Sequence, residues 1–371
     1  MKMRKVKFLI LIVAILIIAV IGLVFFIKYR TYDYIQIEST YTNDSTDNEN
    51  YKYCLGGILR YSRDGVALLT DTGEEIWNQP CQIKNPIVEI SENSVAVADK
   101  GGTGISVFEK KGLKGEIKTT RPIEKVSVSS QGIVSAILKD EKTPMVMCYD
   151  AMGNILVEHK VSLNNTGYPM DVALSSDGKT LLVSYINTEG SEIVTQVVYY
   201  YFGTGQTSQK GYEVQRQELR NTVVPSVAFL DKDTSVLVAD NALIYYTGLK
   251  KPKQTARVQI KQEIQSVAYN DEMVALLVKK SNGSTYKLHI YNKNGKLLAS
   301  ADVEKEYTDM KVVDDRIIML DGQMCSIFTK EGIHKYEGKT DEKIMEMYPI
   351  SGLNKYMMIN ASGFHEVRLA K

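Results

Sequence analysis

Two hydrophobic patterns divide the chain. From Phe8 to Ile27 it is an uninterrupted apolar run without a charge or a Pro. Beyond that run, apolar and polar residues alternate in short stretches broken by turn residues. "VALSSDGKTLLVSY", Val172 to Tyr185, shows the unit: two apolar runs joined by a polar turn containing Asp177-Gly178, the pattern of a β-hairpin.

The pattern recurs. An apolar pair followed three residues later by Gly occurs as "LLTDTG" ending at Gly73, "VFEKKG" at Gly112, "CYDAMG" at Gly153, "YYFGTG" at Gly205, "IYNKNG" at Gly295 and "IFTKEG" at Gly332, with a shortened "IYYTG" at Gly248. Successive glycines are 39, 41, 52, 43, 47 and 37 residues apart, close to the roughly 40–50 residues of one propeller blade. Two strand-like runs precede most of these turns, such as "SVAFL" and "SVLVAD", and one follows, such as "EEIWNQ". That makes four strands per unit. Pro86, Pro122, Pro169 and Pro225 each stand where a first strand begins, where a missing N–H costs no ladder bond. Outside the apolar run no segment competes as a helix; "YEVQRQELRN", Tyr212–Asn221, lies where an outer strand belongs.

The reading is therefore an all-β protein, a β-propeller of four-stranded antiparallel blades preceded by one transmembrane helix. Seven turn glycines mark seven units. "IMEMYPI", "KYMMINA" and "FHEVRLA" then supply three strands of a further blade, for which "YIQIES" at Tyr34–Ser39 is the candidate closing strand. This gives eight blades, with seven as the alternative if the terminal strands merge into one composite blade.

A run of this length matches the roughly 20 apolar residues needed to cross a bilayer core. Lys2, Arg4, Lys5 and Lys7 precede it and Lys28 and Arg30 follow, a bias that favours an inside N-terminus and an exported body. A cleaved signal peptide is the rival reading, but no small-residue cleavage site ends the run and no Cys lies beside it to be lipidated. The expected organisation is a basic cytoplasmic tail over 1–7, a transmembrane helix over 8–27, a juxtamembrane linker over 28–50 and the propeller over 51–371. The protein is thus expected in the cytoplasmic membrane, single-pass, with the propeller outside.

Of 45 Lys and Arg, six fall in residues 1–30, leaving 39 against 44 Asp and Glu and a formal charge of −5 beyond them. With no basic run, nucleic acid is not an expected partner. Cys54, Cys81, Cys148 and Cys325 show no metal-ligand spacing. Cys54 and Cys81 are the pair open to a disulfide in an exported domain, but four cysteines in this length are not a disulfide framework, and buried free thiols are the expectation.

"LLTDTGEEIW" is similar to the repeat of the pyrroloquinoline-quinone-type propellers, in which the aromatic after the turn docks one blade on the next; only Trp77 fits that role. "ILRYSRDG", "NPIVEI", "AVADKGG", "PIEKVSVSSQG", "GYPMDVALSSDG", "TVVPSVAFL" and "NKYMMINASG" together resemble an uncharacterised family of Gram-positive bacterial proteins, domain of unknown function 5711. That resemblance implies one N-terminal transmembrane helix and an extracytoplasmic propeller, and brings no activity, cofactor or catalytic residue with it.

Chemical motifs are sparse. His159, His289, His334 and His365 are scattered, and no nucleophile elbow is present. "DKGGTG" at Asp99–Gly104 lacks the ending of a phosphate loop, and "DKDTS" at Asp231–Ser235 lacks the Glu of a calcium loop; both read as turns. Asp314-Asp315 and Glu74-Glu75 also fall at turns, and the 23 Tyr read first as strand formers. No cofactor or metal is expected. The function expected is a non-catalytic platform binding an envelope protein or polymer, the alternative being an envelope enzyme acting on glycan through the channel. Loops leading into the inner strands make Lys84, Arg121, Tyr168 and Arg220 the candidate partner-binding residues. The longest spacing, Gly153 to Gly205, and the long stretch after it, "TGQTSQKGYEVQRQELRNTVVP", mark an excursion over 186–225 as a second candidate feature.

Overall fold

The computed structural model describes residues 2–42, 49–140, 143–203, 212–280, 283 and 285–371, with the backbone alone for residues 2–10. One helix, α1 (Lys2–Tyr29), leads into eight four-stranded antiparallel sheets. Strands follow one another outward as a, b, c and d in blades spanning 50–80, 86–118, 123–160, 168–220, 226–259, 264–303 and 309–339. The eighth blade takes strands a to c from 346–370 and its strand d from Tyr34–Tyr41.

That last strand pairs antiparallel with Gly363–Ala370, from Tyr34 opposite Ala370 to Tyr41 opposite Phe364, with a bulge between Ile37 and Ser39. The two ends of the propeller therefore share one ladder, which closes the ring at eight blades. The composite blade is the eighth, so merging the terminal strands does not reduce the count to seven.

The inner strands alternate between channel and core. The middle strands do not: Val134–Leu138 and Met145–Tyr149 are buried at every position, because both faces of each blade are covered by neighbouring blades. Eight apolar clusters result among the described residues, one in each seam between adjacent blades. The dense run Val197–Tyr201 belongs to this packing, with Tyr199 and Tyr200 buried. Trp77 stacks on Phe108 of the next blade at 4.9 Å and donates its indole N–H to the Lys110 carbonyl, so it docks blade 1 on blade 2.

Every repeat glycine among the described residues sits in the turn from strand c to strand d with positive φ, and Gly205 lies outside those residues. At Gly295 (φ +78°) a Cβ would meet the Ala256 Cβ at 3.0 Å, so both backbone and packing require glycine there. Strands b and c of blade 4 are eight residues each (Thr180–Asn187, Val194–Tyr201) and lengthen the spacing from Gly153 to Gly205, and the long stretch beyond Gly205 includes an eight-residue strand d (Glu213–Arg220). The rest of that excursion, 204–211, lies outside the described residues.

Because the strands alternate in direction, a–b and c–d turns share one face, and b–c turns and d–a connections the other. The helix ends beside the c–d turn of blade 7. We therefore call the first face proximal and the second distal.

Candidate functional site

The inner strands bring a ring of charged side chains into the central channel. In blade order it runs Lys52, Glu89, Lys125, Asp171, then, past the uncharged Ser226 of blade 5 and Tyr269 of blade 6, Lys311 and Glu346. Its sign alternates. Lys125 Nζ lies 3.0 Å from Asp171 Oδ1, and Asp171 Oδ2 accepts the Val227 N–H at 2.8 Å, tying blades 3, 4 and 5 together. Lys311 pairs with Glu346, which also accepts the Met347 N–H at 2.8 Å. Lys52 donates to the Val88 carbonyl at 3.3 Å. These pairs neutralise the channel wall where hydration is reduced, the condition under which buried charge is tolerated.

Glu89 is the exception. It lines a cavity of about 1050 Å³ with Lys125, Asp171 and Tyr269, and among the described residues it makes no ion pair or hydrogen bond. Burial pushes its carboxyl up to about 7, with Asp171 adding to the rise and Lys52 and Lys125 opposing it. The side chain is enclosed by protein yet more than a third open to channel water. Burial, followed by the nearby Glu89 and Asp171 carboxylates, also raises the Tyr269 hydroxyl. Burial pushes the Lys311 ammonium down to about 8, with Asp309 working against that drop and Lys52 adding to it. The channel can thus offer one unengaged carboxyl, one phenol and an ordered set of cations to a polar ligand.

The four residues expected at the channel mouth all lie at the distal side, and the structure does not gather them into one cluster. Lys84 borders a cavity of about 410 Å³ with Arg63 and Lys100, its backbone N–H held by Asp99 Oδ1 at 3.1 Å. Arg121 is engaged within its own blade by Asp140 at 2.7 Å and the Thr143 carbonyl at 2.8 Å. The Tyr168 hydroxyl donates to Glu124 at 2.8 Å across the blade 3–4 seam. Arg220, at the outer end of blade 4, pairs with Glu218 at 2.7 Å and Glu192 at 3.4 Å.

At the proximal rim Lys335, 4% exposed, caps the helix. Its ammonium donates to the carbonyls of Ile27 (3.1 Å), Lys28 (2.6 Å) and Arg30 (3.1 Å), groups that no helical N–H can reach. Lys28 pairs with Glu331 at 3.0 Å, and the Tyr32 N–H donates to the Lys335 carbonyl at 2.9 Å. Tyr32 is buried in the seam of blades 7 and 8. The segment expected as a juxtamembrane linker over 28–50, with 34–39 as its candidate closing strand, is seated on the propeller as far as Tyr41, while 43–48 lies outside the described residues.

A family model described as a family of unknown function, DUF5711, matches residues 28–369. The chain belongs to this family. The match to DUF5711 begins where the helix ends and takes in all eight blades. No curated protein matches the chain in sequence. Among solved structures it is similar to BamB from Moraxella catarrhalis, at TM-score 0.56 and 13% identity over 90% of this chain and 99% of that one. Sqt1 from Saccharomyces cerevisiae matches at TM-score 0.54 and 11% identity over 92% and 98%. Hsv2 from Kluyveromyces lactis matches at 0.52 and 10% over 79% and 98%. At these identities the likeness concerns the propeller fold.

In this DUF5711 chain the four cysteines are free thiols, and burial pushes those of Cys54, Cys148 and Cys325 up to about 12. Among the described residues no group of His, Cys, Asp and Glu is placed to hold a metal ion. The channel ring went unread in the sequence, yet it leaves a trace there. "YKY", "VEI", "MDV", "MKV" and "MEM" each set one charge inside the first apolar run of a blade, and "EKV" sets two.

Proposed function

We propose that the protein is a single-pass, membrane-anchored, extracytoplasmic propeller that serves as a non-catalytic binding platform in the cell envelope, engaging a protein or polymer partner at the distal mouth of its channel. The observation that carries this reading is the seat of the helix. α1 contains one span, Leu11–Tyr29, apolar and long enough to cross a membrane, and its end is fastened at the proximal rim by Lys335. A helix held there turns the distal mouth, with Arg63, Lys84 and Lys100, away from the anchor. Crosslinking in intact cells, followed by purification through the anchored protein and mass spectrometry, tests the reading. A specific partner should be recovered and then lost when Arg63, Lys84 and Lys100 are changed together to Glu. A partner retained by that variant would remove the distal mouth from the site.

Glu89 supports a second reading, an envelope enzyme acting on glycan. A carboxyl titrating about neutrality in a water-filled cavity is suited to general acid–base work. Turnover of cell-wall oligosaccharide that disappears in Glu89→Gln would favour this reading over the platform.

A further inference from the structure

Outside α1, the exposed large apolar side chains are distributed unevenly between the two faces. Among the described residues Ile193 alone sits at the distal end and Ile37 midway along its strand; the others lie at the proximal end. Tyr53, Ile90 and Tyr269 line the channel at that end, and others circle the rim: Ile76 on blade 1, Met152 (70% exposed), Ile155 and Leu156 on blade 3, Leu298 on blade 6 and Leu353 (63% exposed) on blade 8. Of these six rim residues all but Leu353, which lies in an a–b turn, are in or just after the c–d turns. These turns also carry lysines, among them Lys110, Lys111, Lys250 and Lys251, beside carboxylates such as Asp71, Glu74, Asp150 and Glu331, so the rim mixes apolar tips with long cationic stems and charges of both signs.

Such a face would be costly to leave in water and has the composition that suits the headgroup boundary of a bilayer, where apolar tips enter and lysines reach back to phosphate. The helix identifies the occupant. It leaves from this face, its residues from Leu11 to Phe26 are exposed and stand clear of the propeller, and its last turn is pinned by Lys335. A partner protein or a second copy would have no reason to share the face with the anchor.

We propose that the proximal face rests on the bilayer surface, with the rim residues entering the headgroup region; this depends on the helix being the membrane anchor. Lipid then covers the proximal mouth of the channel, and ligands reach Glu89 from the distal side alone.

Trp77, the sole Trp of the chain, provides the probe, because it follows Ile76 directly at the proximal end of blade 1 and is absent from the helix. The full-length protein is reconstituted in phosphatidylcholine vesicles whose acyl chains are brominated near the headgroup, and its emission is compared with that in unbrominated vesicles. The proposal expects loss of Trp77 emission in the brominated vesicles, and recovery of that emission in Ile76→Asp, a change at an exposed position. Undiminished emission from protein that still floats with the vesicles after an alkaline wash would overturn the proposal while leaving the anchor intact. Failure to float would overturn the anchor reading and the proposal together.

Discussion

Replacing Glu89 by Gln isolates the ring carboxyl that has no ion pair or hydrogen bond among the described residues. In the folded protein its pKa is raised from 4.5 to about 7 by burial, so the native state keeps the proton over a range where the unfolded chain has lost it. The contribution of this group to stability is full below about pH 4.5, declines as pH rises, and is lost above about 7. The whole shift would correspond to about 3 kcal/mol. More than a third of the side chain meets channel water, and screening there reduces the effect to about 1–2 kcal/mol. For a propeller of this size that is roughly 2 °C in Tm. Glu89→Gln should therefore melt about 2 °C above the parent at pH 8 and within error of it at pH 4.5, read by thermal unfolding across a pH series. A variant that melts below the parent at pH 8, or a difference independent of pH, would refute the argument.

Lys335→Met keeps the length of the stem but removes the three bonds to the helix carbonyls; it should cost about 2 kcal/mol of local stability, and amide exchange at Tyr32 and Asp33 should quicken roughly 30-fold while the blade cores stay protected. Trp77→Ala empties the docking position between blades 1 and 2 and should lower stability by about 2 kcal/mol, with Trp77→Phe recovering most of it, both measured by denaturant unfolding. His365 is buried against Thr40, Asn360 and Ser362 and so links the closing strand to its neighbour, and burial depresses its pKa. The stability it adds is present above its usual 6.5 and lost as pH falls through the lowered value. Protection factors of the Tyr34–Tyr41 amides, which already remove the pH dependence of intrinsic exchange, should accordingly be lower at pH 5 than at pH 7, and His365→Asn should remove that acid dependence.

The fold was largely legible because a propeller repeats its local rules. The c–d glycines need positive φ, the prolines need positions without a ladder bond, and "YIQIES" alternates like the strand that it is, though its pairing runs on to Tyr41 opposite Phe364. Less legible were features that depend on how blades face one another. Middle strands such as Val134–Leu138 read as alternating runs but are buried on both faces, a consequence of stacking rather than of local pattern. The channel ring escaped because Lys52, Glu89, Lys125 and Asp171 are far apart in sequence and meet only across the axis. Nothing in the sequence around Lys335 marks it as a cap; only the position of the helix end makes it one. Of the expected mouth residues, Lys84 falls in a distal cavity beside Arg63 and Lys100, whereas Arg121 and Arg220 are held by carboxylates of their own blades.

Anchoring with the distal mouth outward is most directly tested by cysteine labelling in intact cells. Lys84→Cys in a Cys81→Ser background is treated with a membrane-impermeant maleimide, and the cells are then fractionated. Labelled full-length protein in the membrane pellet is the expected result. Labelling that requires cell lysis, or labelled protein shortened and released from the membrane, would contradict it.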